Sequence, residues 1–164
     1  MAITYEPIAT TTLGSATNTV TFSSIPSTYT DLVLILNGGG SNPANFQTQV
    51  NGDTGSNYST TTIYGTGSTA ASGRYTNLNQ MYNAGVVAAI PTTLSAMSIA
   101  NFMNYSNTTT YKTVLSRYSD SSNETTTNVS LWRNTAAINT IRIFSFSASY
   151  LVGTTFTLYG IKEA

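Results

Sequence analysis

"DLVLILN", residues 31–37, is the stretch from which the fold prediction starts. A strand with one face in water alternates apolar and polar residues, whereas an unbroken apolar run needs cover on both faces. The apolar residues 32–36 are also far too few to cross a bilayer, which takes roughly 20. The glycine-rich residues 37–40 are typical of a flexible turn. We therefore predict a central strand that ends in a turn.

Strand patterns recur on both sides of this stretch. "NTVTFSSI", residues 18–25, alternates Val20 and Phe22 with hydroxyl residues, which predicts a half-buried strand. Further strand candidates are "FQTQV", "TTTIYG", "SAMSIANFMNY", "YKTVLSRYS", "NVSLWRN", "NTIRIFSFS" and "TTFTLYGIK". Helical periodicity is nearly absent, and the best candidate, "NAGVVAAIPTTL", is short and stopped by Pro91. About ten short strands without helical crossovers indicate an antiparallel β-sandwich, with a jelly roll as the expected form.

The composition supports a single all-β domain over residues 1–164. Hydrophobic residues make up 40% of the chain, enough for a core, and there is no linker or internal repeat. Only 7% of residues are charged, against roughly 25% in an average soluble domain. Thr, Ser and Asn together account for 67 of the 164 residues. Since Thr favours strands, and Ser and Asn favour turns, we expect a β protein with a hydroxyl and amide surface.

The charge balance argues against nucleic acid and membranes as partners. Six basic and six acidic side chains cancel, and no run of Lys or Arg occurs, so no strong field attracts phosphates or anionic lipid. The chain begins without a basic segment followed by an apolar one, so no secretion signal is expected. There are no cysteines, which excludes disulfides.

The residue types needed for common catalysis are missing. Without His or Cys, the Ser-His-Asp and Cys-His nucleophile systems and the usual zinc sites are excluded. Lys112 and Lys162 do not lie in an S-x-x-K motif. A polysaccharide-cleaving enzyme needs two carboxylates that face each other across a sugar. Asp120 and Glu124 are close in sequence, but "SDSSNETTTN" is typical of a solvated polar loop. We predict that the chain is not an enzyme, with no catalytic residues and no cofactor.

The oxygen-rich stretch "NGDTGSNYS", residues 51–59, is the candidate for a calcium loop. A loop of the EF-hand type needs several carboxylates and a closing bidentate Glu, whereas this stretch has only Asp53, and Thr62 stands at the closing position. Asn-Gly and Asp-Thr-Gly are strong turn signals between "FQTQV" and "STTTIYG". We therefore predict a hairpin connection and no metal site.

The aromatic residues are the candidates for binding. Eleven tyrosines and one tryptophan could contact either a sugar or another protein, although strand tyrosines also pack on sheet faces. In "LWRN" an aromatic residue beside Arg at a strand end is typical of an anchor for a sheet or an interface. The interface candidates are Tyr58, Tyr64, Tyr75, Tyr82, Trp132 and Arg133.

Several stretches resemble a family of small virion structural proteins of tailed phages, notably those infecting cyanobacteria and other aquatic bacteria. These stretches are "TYEPIATTTLGS", "VTFSSIPSTYTDLVLILNG", "NGDTGSNYS", "NYSNTTTYKTVLSRYS", "LWRNTAAINTIRIF" and "GTTFTLYGIKEA". The similarity runs from Thr4 to about Lys162 and is weakest over residues 65–100. It implies a β-sandwich or jelly-roll subunit on the particle surface, often trimeric, without catalytic residues.

Two functions follow from this resemblance. The first is a capsid decoration or cement protein, made in the host cytoplasm, that binds copies of itself and the major capsid protein on the outer surface of the virion. The second is a tail-fibre or receptor-binding module that recognises host surface glycan. The neutral, cysteine-free, strand-rich sequence fits both.

Overall fold

The all-β prediction is confirmed. The computed structural model describes residues 5–41, 45–84, 90–121, 124–146 and 148–162, which hold twelve β-strands. In these ranges no helix is long and apolar enough to cross a membrane. The strands are β1 (Tyr5–Thr12), β2 (Thr19–Phe22), β3 (Asp31–Gly38), β4 (Phe46–Val50), β5 (Tyr58–Gly65), β6 (Ala70–Leu78), β7 (Met81–Ala84), β8 (Ala96–Met103), β9 (Lys112–Asp120), β10 (Thr125–Trp132), β11 (Ile141–Phe144) and β12 (Thr155–Ile161).

The strands form an antiparallel β-sandwich of two unequal sheets. The larger sheet has eight strands in the order β1-β12-β3-β8-β9-β10-β5-β6, and the smaller has four in the order β2-β11-β4-β7. The chain passes repeatedly between them, so their facing sides enclose one core. A jelly roll has eight strands in two Greek keys. The twelve described strands, divided eight to four, do not confirm that finer prediction.

The stretch 31–37 forms β3, and its predicted central position is confirmed. β3 lies inside the larger sheet, between β12 and β8. Leu32, Leu34 and Leu36 point into the core and are at most 3% exposed. Val33, on the opposite face, is also only 5% exposed. The continuous apolar run therefore reflects cover on both faces of this strand.

The glycines after this run are not needed for the flexible turn that was predicted. β3 continues to Gly38, and Gly39 is buried instead of lying in an open turn. A Cβ added at Gly39 would lie 2.0 Å from the carbonyl oxygen of Thr93. Glycine is needed here because two backbone segments approach too closely for a side chain.

The interior has an apolar part and a polar part. Among the largest side chains less than 2% exposed are Phe46, Tyr58, Phe102, Trp132 and Phe156. Beneath β5, β9 and β10, however, the core positions carry hydroxyl and amide groups. Thr60 and Ser130 share a hydrogen bond of 2.7 Å, and Asn128 donates to Ser116 over 3.2 Å. The predicted hydroxyl and amide surface thus describes only part of these residues, because strand pairing turns many of them inward.

Some elements differ from the predictions. β1, β6 and β7 were not among the strand candidates, because their sequences lack a clear apolar alternation. The hairpin predicted for residues 51–59 is wrong, since β4 and β5 belong to different sheets. The weak helix candidate "NAGVVAAIPTTL" lies partly outside the described residues, which omit 85–89.

Candidate functional site

The outer face is the side of the larger sheet that turns away from the smaller sheet. Strand pairing places apolar side chains there that alternate with buried residues. Ile63, Val129, Met97 and Met103 are 64%, 49%, 48% and 40% exposed. Further half-buried apolar side chains on this face are Ile35, Ile99, Leu115 and Leu131. A contiguous apolar surface of this kind is typical of a contact with another molecule.

Arg117 stands near the centre of the outer face. In the strand register it lies directly between Ile99 on β8 and Thr127 on β10. Its side chain is exposed and has no hydrogen-bond or ion-pair partner among the described residues. By contrast, Arg133 donates to the carbonyl of Ser56, and Arg142 donates to Gln49. Arg117 is therefore a free donor within an apolar surface.

A shallow groove of about 200 Å³ runs beside Arg117. It is lined by Met97, Ile99, Arg117, Tyr118, Ser119 and Thr125. Thr125 also lines a second shallow groove, which reaches Ile63 and Ala70, so the two depressions lie on either side of this residue. The groove combines apolar walls with the guanidinium group of Arg117 and the hydroxyl groups of Ser119 and Thr125. Such a lining suits an apolar segment that carries one acceptor.

The stretch 51–59 is a structural connection between the two sheets. Asn51 and Gly52 both have positive φ, at 52° and 68°, and the N–H of Asp53 donates to the carbonyl of Val50 over 3.0 Å. These features form the tight turn that Asn-Gly predicts. The side chain of Asn51 then bonds the segment 137–140, with its amide group 2.7 Å from the Ala137 carbonyl. The turn prediction is confirmed, but the turn leads from one sheet to the other.

The carboxylate of Asp53 is occupied by protein donors. It accepts hydrogen bonds from the Trp132 indole (2.7 Å), from the Asn57 amide (2.9 Å) and from the Gly55 N–H (2.8 Å). Burial alone would raise the pKa of Asp53, but these bonds outweigh it and lower the pKa below 3.8. Among the described residues no group of three or more acidic side chains is placed to hold a metal ion. The arrangement is that of a loop anchor.

Two of the six interface candidates are core residues. Tyr58 is fully buried and Trp132 is 1% exposed, and their rings stack at 6.4 Å. The expectation of a surface contact at Tyr58 is therefore wrong, because the alternation of β5 turns this ring inward. Trp132 instead anchors the sheet, which was one of the two roles considered for "LWRN". Its neighbour Arg133 is half-buried and bonded to Ser56 and Asn77.

The other tyrosine candidates lie nearer the surface. Tyr75 is 37% exposed, and its ring centroid is 5.6 Å from that of the half-buried Tyr82. Tyr64, also half-buried, has no ring contact with them among the described residues. The structure thus brings together one pair of the candidates, Tyr75 and Tyr82, at the β6 side of the sandwich.

The segment around Asp120 and Glu124 is less solvated than predicted. β9 continues to Asp120 and β10 begins at Thr125, and Glu124 is only 2% exposed. Tyr118 donates to Asp120 over 2.8 Å, and Thr126 donates to Glu124. Both carboxylates are held by neighbouring hydroxyl groups within the sheet. That these residues are not catalytic stays a prediction.

Lys112 is a buried amine that the sequence did not single out. It is 1% exposed, and its Nζ donates to the carbonyls of Thr110 (2.7 Å) and Thr135 (3.0 Å). Burial lowers the pKa of this amine. The two carbonyls give it a structural role in tying the 110 and 135 segments together.

The outer face was also missed from the sequence. Its signal was present in "SAMSIANFMNY", where apolar residues occupy both phases of the alternation: Ala96, Ala100 and Phe102 inside, and Met97, Ile99 and Met103 outside. Such a double phase indicates cover on both faces. In the described structure only the inner phase is covered.

No protein-family model matches the chain, and the comparison with curated proteins gives no match. Among solved structures, an exo-inulinase from Aspergillus awamori is similar over 96% of this chain and 29% of that one, with 13% identity and a TM-score of 0.33. An aerolysin-like protein from Bombina maxima is similar over 92% of this chain and 86% of that one, with 9% identity and a TM-score of 0.13. The chain spans less than a third of the exo-inulinase chain, and neither likeness is strong enough to carry an argument about function.

Proposed function

We propose that this protein is a structural subunit of a tailed-phage virion that decorates the capsid and clamps adjacent capsid subunits. The observation that carries the proposal is the outer face. Its side chains Ile63, Met97 and Val129 are about half exposed or more, with no cover from the described chain. An apolar surface of this kind supports a protein-contact role. The resemblance of the sequence to virion structural proteins supports the same role.

The mechanism is cohesion through many modest contacts. Burial of the apolar outer face against the shell would contribute hydrophobic free energy of binding. The edge strands β1 and β6 offer backbone hydrogen-bonding groups to a neighbour. A chain with zero net charge does not repel its own copies when it is packed at high density. Contacts repeated around the symmetry axes would add up through avidity.

The proposed partners are the major capsid protein and further copies of this chain in a homotrimer on the outer surface of the virion. In such a trimer the exposed edge strands β1 and β6 are the surfaces available for contact between subunits. The outer face then stays free for the capsid.

The proposal is tested on capsids that lack this protein. Purified depleted capsids are heated with and without added protein. Rupture is monitored by the fluorescence of a DNA-binding dye, which rises when the packaged DNA becomes accessible. We expect the added protein to raise the rupture temperature. Equal heat resistance with and without the protein would contradict the cement role.

A receptor-binding role is the alternative, and the Tyr75–Tyr82 pair is the observation that favours it. Paired aromatic rings with a polar tip, one of them exposed, can stack on a sugar. A glycan array probed with the wild type and with Tyr75→Ala separates the two functions. The capsid proposal expects no specific signal, whereas a glycan signal lost in Tyr75→Ala would favour the tail module.

A further inference from the structure

We propose that the outer face docks a partner surface in which a carboxylate, flanked by apolar side chains, pairs with Arg117, and that this partner is not a second copy of this chain. The inference rests on the proposed function, because it specifies the chemistry of the capsid surface that the outer face would meet.

Arg117 lies in a setting that requires an acceptor from a partner. Ile99 and Thr127 flank it across the sheet, and Met97 and Ser119 line the same groove. Closure of an apolar partner over this groove would remove the guanidinium from water. A charge in that position requires an acceptor from the partner, since the described chain supplies none. A carboxylate is the acceptor that matches the guanidinium fork in both charge and geometry.

The charged side chains of the outer face are mostly positive. The outward positions of β5, β8, β9 and β10 carry no acidic side chain. Asp31 lies at the start of β3, and its carboxylate accepts the N–H of Asn104 over 2.6 Å. Arg74 on β6 adds a second positive charge at the rim. The face is thus apolar and positive, and its complement is apolar and negative.

The outer face also has the area that an interface needs. Eight strands about 4.8 Å apart and about eight residues long give a sheet of roughly 34 Å by 26 Å, on the order of 900 Å². A stable interface buries about 800 Å² on each partner. The outer face is therefore large enough for one complete interface without help from the loops.

A second copy does not fit this surface. In a two-fold dimer the same patch meets itself, so an axis through the middle of the face would bring the two Arg117 side chains together. Each guanidinium would then be desolvated beside a like charge, and the outward positions of β8, β9 and β10 hold no acidic side chain to separate the two. Self-association through the outer face is thus disfavoured by its own central residue.

The test uses methyl NMR of the full chain labelled at methionine. Met97 lines the groove, Met103 lies elsewhere on the outer face, and Met81 is fully buried and reports on folding. The probe is the blocked peptide acetyl-Ala-Leu-Glu-Leu-Ala-amide, and its control is the same peptide with Gln in place of Glu. We expect a titratable shift at Met97 with the Glu peptide, binding at least about fivefold weaker for the Gln peptide, and no shift at Met81.

Variants of the two outer-face arginines make the test specific. Arg117→Gln should weaken the Glu peptide at least about fivefold, whereas Arg74→Gln, at the rim, should leave binding within about twofold. An unchanged Met81 signal in each variant shows that the fold is intact. Equal binding of both peptides, no shift at Met97, or an equal loss in Arg74→Gln would overturn the proposal.

Sedimentation of the wild type and of Val129→Asp tests whether a second copy of the chain binds the outer face. We expect the same oligomeric state for both, because contacts between copies lie elsewhere. Dissociation caused by Val129→Asp would assign the face to a second copy and overturn the proposal. The capsid heating experiment is independent of these results: protection that is unchanged in Arg117→Gln would sink this inference alone, while absence of any protection would sink the proposed function.

Discussion

The indole Nε1 of Trp132 donates a hydrogen bond of 2.7 Å to Oδ2 of Asp53. This bond joins the end of β10, in the larger sheet, to the connection that follows β4, in the smaller sheet. The Tyr58 ring stacks on Trp132, and its hydroxyl donates to the Asp53 carbonyl over 2.9 Å. The crossing between the sheets is thus fixed by one carboxylate and two buried aromatic rings.

We predict that Asp53→Ala destabilises the protein by about 2–3 kcal/mol. The substitution leaves the indole N–H of the buried Trp132 without its acceptor. Hydrogen bonds to a charged group stabilise a fold more than hydrogen bonds between neutral groups do. Urea unfolding followed by Trp fluorescence measures the change. Thr54→Ala, at the exposed neighbouring position, is the control and should cost under about 0.5 kcal/mol. Equal stability of the two variants would contradict the anchoring role of Asp53.

The same carboxylate predicts a dependence of stability on pH. Although burial acts to raise the pKa of Asp53, its hydrogen bonds hold that pKa below the ordinary value of 3.8. A group with a lowered folded-state pKa stabilises the protein above its unfolded pKa and loses that contribution as the pH falls through the folded value. The stability difference between wild type and Asp53→Asn should therefore be constant from about pH 5 to 7 and shrink below about pH 4. A difference that stays constant down to pH 2.5 would refute this link.

The sequence predicted more of the fold than of the site. The run 32–36 identified an internal strand because cover on both faces leaves a continuous apolar pattern. The hairpin prediction at Asn51-Gly52 was wrong because a turn motif fixes local dihedral angles, while the side chains of Asp53 and Asn51 decide which sheet the chain enters next. β6 was missed because its exposed edge position imposes no apolar alternation.

The interface candidates also show what the sequence alone does not predict. Tyr58 and Tyr75 are the same residue type on adjacent strands, yet one is fully buried and the other is 37% exposed. Tyr75 pairs with the buried Thr60 and so lies on the same face as Tyr58, but β6 is the edge strand of the sheet and leaves its ring partly exposed. The outer face was missed for a related reason. Apolar residues in both phases of β8 predict that both faces of the strand are buried, and they do not reveal that the described chain covers only one of them.

Close packing at Gly39 gives a third prediction. A Cβ there would lie 2.0 Å from the Thr93 carbonyl oxygen and 2.9 Å from that of Pro91, so the backbone itself has to move. We expect Gly39→Ala to cost at least about 2 kcal/mol in unfolding free energy. Gly14→Ala is the control, because nothing lies within 4 Å of its added Cβ. Thermal unfolding compares the two, and a Gly39→Ala midpoint equal to that of Gly14→Ala would argue against the close approach.

Three buried tyrosines predict the behaviour at high pH. Burial raises the pKa of Tyr58 to about 12 and raises that of Tyr118 and Tyr150 further above 10.0. A raised folded-state pKa gives stability that is present below the unfolded pKa near 10.0 and lost as the pH rises through the folded value. Between pH 10 and 12 the absorbance at 295 nm of the folded chain should stay below that of the urea-unfolded chain. Coincident titration curves would show that these hydroxyl groups are not buried.

Substitution on the outer face should separate binding from folding. Val129 is 49% exposed, so Val129→Asp should change the unfolding free energy by less than about 1 kcal/mol. Retention on depleted capsids should fall at least about tenfold, because a charge would be buried in the contact. Thr21→Asp, at an exposed strand position of the smaller sheet, should bind as the wild type does. Equal retention of both variants would place the contact on another surface.

The central proposal is that this protein decorates a capsid, and the most direct measurement is its copy number in purified virions. Quantitative mass spectrometry against the major capsid protein gives this number. We expect hundreds of copies per particle, in a fixed ratio to the major capsid protein. A handful of copies in a multiple of three or six would place the protein in the tail, and its absence from purified particles would contradict a virion role altogether.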